Sequence, residues 1–175
     1  MTKTRKMLND WDTPYIQALV KQIETQSKTT LAHWAIDYAE QFLLPIWNKH
    51  APDDMRPHNA LNAAREWLEG QKKLPEVKPA ILECHTAARE AEGNAAAQAA
   101  ARAIGQSAST IHSARHCIGL PLYGALSVAY DTLGANASWE ELEYLSAAAC
   151  SQMLAALNAV SVDHEPNPAK ITWTC

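Results

Sequence analysis

His112 and His116 stand four residues apart, about one turn of an α-helix, so their spacing predicts two imidazoles on one helical face. Such a pair is half of a zinc or nickel site, because neutral imidazole nitrogens are good ligands and a single turn brings them close enough to share an ion. A third ligand would have to come from another helix, from His85, His33 or Asp37. Residue 113 is serine, so the His-Glu-x-x-His pattern of metalloproteases, with its glutamate general base, is absent. A wider polar set accompanies the pair. Asp37, Arg65, His85, Arg89, His112, Arg115 and His116 fall on or beside the apolar faces of predicted helices, with Asp53 and Arg56 in the turn before one of them. Buried ions need partners, so Asp37 or an aspartate of the Asp53-Asp54 pair is expected to meet Arg65, Arg89 or a histidine. The set reads either as a hydrogen-bonded network that fixes helix register or as the lining of a ligand pocket.

Positioning these groups falls to helices. Alanine is heavily used and β-branched runs are scarce, which favours helix because alanine loses no side-chain entropy there. Thr13-Pro14 reads as N-cap and first helical residue, followed by Ile16, Leu19, Val20 and Ile23 at helical spacing. Thr30 is read as the next cap, opening the stripe Leu31, Trp34, Ala35, Tyr38, Ala39, Phe42, Leu43. Pro45 should kink or end that helix, leaving Trp47 in a short continuation or in the loop. Asp53 or Asp54 caps a helix that has Pro57 in its first turn and runs to Gly70, and Val77 to Ala88 mark a helix ending at Gly93. Asn94 caps a long alanine-rich helix reaching about Ile118, on which Ala101, Gly105, Ala108 and Gly119 extend the histidine face as a stripe of small residues. Gly119 and Pro121 break it, a helix over Leu122–Leu133 stops at Gly134, and Ser138 with Glu141 forms the capping box of a last helix over about 139–160. The tail, 161–175, carries two prolines and is expected to be extended. The expectation is all-α: one domain over 1–175, a compact bundle of about seven helices with short loops.

Composition excludes several classes of function. The 175 residues are 47% apolar and 19% charged, a globular balance. A formal net charge of −4, with no basic run beyond Lys3, Arg5 and Lys6, argues against nucleic acid as a partner. No apolar stretch reaches the ~18 residues that would span a bilayer, and the N-terminal residues lack the apolar core of a secretory signal. Cys84, Cys117, Cys150 and Cys175 are widely spaced and read as reduced thiols of a cytoplasmic protein. There is no Gly-x-Ser-x-Gly elbow, no phosphate-cradling loop and no cysteine in a nucleophile context. The Arg-x4–6-His spacing of a class of helical ribonucleases is also missing. Six Trp against one Phe, with Trp34, Trp47, Trp67 and Trp139 near apolar stripes, point to indoles as core and junction anchors. No enzyme and no cofactor is predicted.

In order along the chain, WAIDYAE (34–40), DDMRP (53–57), AAREWLEG (63–70), HTAAREA (85–91) and the block 101–130 containing both histidines and Tyr123 form an ordered set. Over residues 30–134 this set resembles the immunity proteins of bacterial polymorphic toxin systems, in the subgroup with an all-helical immunity-like domain. The resemblance implies a non-enzymatic cytoplasmic protein whose partner is a cognate protein toxin. It supplies no catalytic residues. The positions that carry it are Trp34, Asp37, Asp53, Arg56, Pro57, Trp67, His85, Arg89, His112, His116 and Tyr123. The alternative is a helical module for a metal or small molecule centred on His112 and His116. Self-association as a homodimer through the small-residue stripe remains open beside both.

Overall fold

Helix α1 (Pro14–Ile23) begins where Thr13-Pro14 predicts, and turns Ile16, Leu19 and Ile23 inward. Helix α2 (Lys28–Tyr38) starts earlier than expected, because the Ser27 hydroxyl, not Thr30, accepts the capping bond, from the Thr30 N–H. Pro45 does not end this helix. A π-helical turn (Ala39–Leu43) absorbs the missing donor, and α3 (Leu44–His50) continues the rod with Trp47 buried on it. Neither Asp53 nor Asp54 is the N-cap of α4 (Arg56–Leu68), which is Met55; Asp54 instead accepts from the Arg56 N–H at 3.1 Å. Helices α5 (Leu74–Glu90) and α6 (Ala95–Ser109) follow, the second capped by Asn94, whose side chain accepts from the Ala97 N–H at 3.0 Å.

The largest departure from the sequence reading comes at the end of α6. The helix stops at Ser109 instead of running to Ile118. Ser107, Ser109 and Thr110 turn their hydroxyls back onto the carbonyls of Ala103, Gly105 and Gln106. The Thr110 and His112 N–H groups bond three residues back, to Ser107 and Ser109. Hydroxyl side chains that compete for backbone carbonyls favour such tightened ends. Ser113 is extended, and the chain re-enters a 3₁₀ helix (Ala114–Ile118), a π-helical turn (Leu120–Ala125) and α7 (Leu126–Leu133). Gly134, at φ +84°, ends that rod. Helix α8 (Trp139–Val160) opens with the Ser138–Glu141 capping box.

In this computed structural model, which describes residues 3–173, the fold is all-α. With the π-helical joins counted as continuous, the described residues form 7 helical rods and no strand. Helix α6 is the axis, touched by α2 to α5, by α7 and by the irregular turns. Alanine on nearly every side makes it a thin cylinder buried almost throughout, so its neighbours approach closely. Ala101, Gly105 and Ala108 are thereby covered within the chain, and this stretch of the stripe offers no free face to a second copy. Two indoles pin the packing: Trp34 Nε1 donates to the Met153 carbonyl at 3.0 Å and Trp47 Nε1 to that of Asp54 at 2.8 Å.

Both terminal segments are clasped. The Leu8 N–H donates to the Leu122 carbonyl at 2.8 Å, and the Arg5 guanidinium lies 3.7 Å from the Trp139 ring centroid. At the other end Trp173 Nε1 donates to Glu24 at 2.8 Å and its ring meets Trp11 edge-on at 5.6 Å. Cys84, Cys117 and Cys150 are free and buried, whereas Cys175 lies outside the described residues. Among the described residues no helix is long and apolar enough to cross a membrane.

Candidate functional site

The polar residues singled out by sequence separate into two groups instead of one network. The first is carboxylate–guanidinium. Arg65 on α4 holds Asp37 at 2.8 Å and Glu40 at 2.5 Å. Arg56 grips Asp54 with Nη2 at 2.6 Å and Nε at 2.9 Å, and reaches Glu90 on α5 at 2.6 Å. This fork keeps the Asp54 carboxyl below the usual carboxylate range and raises Arg56. Asp37 and Asp53 are exposed. Asp37 sits on the flank of its apolar stripe, where a short side chain reaches water. These pairs tie α2 to α4 and α4 to α5, and as half-exposed contacts they stabilise modestly. Glu40 was not visible as a partner from the sequence, since the π-helical turn that places it has no pattern of its own.

The second group is the imidazoles, on the seam between α5 and the chain that follows α6. The His85 ring lies over Gly105, so close that a β-carbon there would sit 2.5 Å from its Cε1. Glycine at 105 is what lets an imidazole pack against the axial helix. His112, which the longer helix would have placed on one face with His116, stands exposed in the turn after Ser109. His116 is half-buried on the 3₁₀ helix, with Nδ1 2.9 Å from Gln106 Oε1. When that oxygen accepts, Nδ1 carries the proton and Nε2 is the free acceptor. Gly119 presses against Gln106 in turn, which holds the 3₁₀ helix onto α6. The two histidines still border one groove, but through a tertiary turn.

They border a groove of about 190 Å³ between α5 and this turn. Leu74, Ile81 and Leu82 give it an apolar lining; Lys78, His112 and His116 form its polar border. Burial, then Arg89 and Arg102, lowers the His85 pKa; burial, then Arg115 and the other two histidines, lowers that of His116. No carboxylate acts on either ring. Arg89 is exposed and donates within α5, to Thr86 Oγ1 at 2.7 Å. Arg102 has a buried Nε without a partner. Arg102, Lys78 and Gln106 were missed by sequence reasoning, and only their helical register relative to His85 and Gly105 could have pointed to them.

The metal half-site needs a third ligand. Among the described residues no group of three or more His, Cys, Asp or Glu side chains is placed to hold an ion. The three cysteines among the described residues are not activated thiols: burial pushes the Cys84 thiol up to about 12, and Cys117 and Cys150 are likewise raised. Of the remaining motif residues, Trp34 and Pro57 are buried, and Trp67 and Tyr123 are partly buried against the core.

A family model described as "Imm-5 like putative immunity protein" matches residues 21–156. The chain belongs to this family. The match runs from the last turn of α1 through most of α8, a helix which the motif resemblance over 30–134 did not reach. The imidazole groove and both ion-pair groups lie inside the matched region. No curated protein and no solved structure matches the chain.

Proposed function

We propose that this protein is a cytoplasmic, non-enzymatic immunity protein that binds a cognate bacterial toxin and neutralises it. The observation that carries the reading is the immunity-family match over residues 21–156. The burial of the three described thiols is consistent with a protein that acts by binding, and the contiguous core with clasped termini supports one helical domain along the chain. Steric or allosteric occupation of the toxin would then be the mechanism, with affinity concentrated in a few surface side chains.

The test is co-expression with the product of the open reading frame adjacent to this gene. Expected are growth arrest by that product alone, rescue when this chain is present, and co-elution of the two in size-exclusion chromatography. An adjacent product that is toxic, is not neutralised and forms no complex overturns the reading.

A further inference from the structure

The seam between α5 and the 110–118 turn is a basic, apolar-floored surface on a chain that is acidic as a whole. Between Glu92 and Asp131 the sequence carries no carboxylate, yet it contributes Arg102, His112, Arg115 and His116. At 3.6 residues per turn, α5 turns Lys78, Leu82, His85 and Arg89 along one side, while Glu76, Glu83 and Glu90 fall on the other. Leu82 is 64% exposed at the centre of that side, the most exposed leucine among the large apolar residues at the surface. Natural surfaces ordinarily intersperse charges of both signs. Here Lys78, Arg89, Arg102 and Arg115 form no ion pair among the described residues, although the formal net charge is −4.

We propose that this groove is the docking surface for an acidic, apolar segment of the partner protein, a stretch in which leucine-like side chains alternate with carboxylates. The inference rests on the toxin-binding reading and specifies the chemistry of the bound surface. Leu82, Ile81 and Leu74 supply the area that an apolar anchor covers. Lys78 on the groove's border, with Arg89, Arg102 and Arg115 outside its lining but beside the imidazoles, supplies the charge that carboxylates flanking the anchor would complement. Apolar contact gives affinity, and surrounding charge selects the partner and speeds encounter. A free phosphate or a nucleic acid would use the cations but leave the leucines uncovered, so a protein segment fits better.

Two measurements test this. The first is titration of the whole protein with a capped nonapeptide of alternating Glu and Leu, followed by the NMR signals of the His112 and His116 rings. Both rings should shift with the acidic peptide, whereas the equivalent Lys/Leu peptide and inorganic phosphate should leave them in place. No shift, or the same shift with phosphate alone, overturns the proposal. The second compares binding of the adjacent-gene product by wild type, Arg89→Glu/Arg115→Glu, Leu82→Ser, and the remote control Lys21→Glu. All four residues are exposed, and thermal melts verify that the variants fold. The groove variants should weaken binding by about tenfold or more, with the control within about twofold. A wild-type complex whose affinity the groove variants leave unchanged overturns the groove while the toxin reading stands. Absence of a complex with an adjacent product that is toxic and is not neutralised removes the toxin reading, and the peptide titration then decides the groove alone.

Discussion

Replacing Gly105 with alanine would set a methyl group 2.5 Å from Cε1, 2.9 Å from Nδ1 and 3.0 Å from Nε2 of His85. Contacts that short force the ring to leave or the helices to part. Overpacking of this kind costs about 1–3 kcal/mol. Alanine in a helix interior is otherwise better than glycine by about 0.8–1.0 kcal/mol. The two effects oppose, so Gly105→Ala alone should range from neutral to about 2 kcal/mol destabilising. In a His85→Ala background the obstacle is gone, and the same substitution should stabilise by about 1 kcal/mol. The difference between backgrounds, about 1–3 kcal/mol, is the coupling between the two positions. Urea unfolding of the four proteins, followed by circular dichroism with m-values compared, measures it. If Gly105→Ala changes stability equally with and without the His85 ring, the imidazole does not pack over the axial helix, and the reasoning about the seam fails.

Gly119→Ala should be worse than Gly105→Ala, because the new β-carbon would collide with Gln106 Cβ, which cannot rotate away. A melting temperature lowered further than in Gly105→Ala, or loss of soluble protein, is expected. The pKa values of His85 and His116 are lowered by burial and neighbouring cations, so the unfolded chain, titrating near 6.5, binds more protons in that range. Their contribution is full above about pH 6.5 and is lost as pH falls through the folded values. Urea midpoints should therefore drop from pH 7.5 toward pH 5 in wild type and less steeply in His85→Gln/His116→Gln; equal slopes would contradict the assignment. Asp37→Ala, which removes an exposed partner of Arg65 while Glu40 remains, should change unfolding free energy by no more than about 1 kcal/mol in chemical denaturation. Zinc chloride at one equivalent should leave the melting temperature unchanged, since His112 and His116 lack a third ligand among the described residues.

Helix content, most caps and the inward faces were legible because they are local. Thr13-Pro14, Asn94, Ser138 with Glu141, and Gly134 each act within a few residues, and apolar stripes report burial wherever the helix is regular. Irregular turns were not legible. The π-helical turn before Pro45 and the hydroxyl-tightened end of α6 depend on which backbone groups find other partners, and a helical wheel drawn through them misplaces every later residue. Thr30 as a cap failed for a smaller reason of the same kind, since Ser27 offered an equivalent oxygen one turn earlier.

His112 and His116 show where that boundary lies. Their types and spacing gave two imidazoles in proximity, and the surrounding motifs placed them in an ordered family pattern. That they border a groove instead of sharing a helical face, that His85 lies over Gly105, and that Arg89, Arg102 and Arg115 come near the imidazoles follow only from packing α5 against α6 and folding the 110–118 turn back onto α6. Residue type and local spacing act over a turn or two of chain. The electrostatic character of a surface is a sum over groups distant in sequence, and only the tertiary structure performs it.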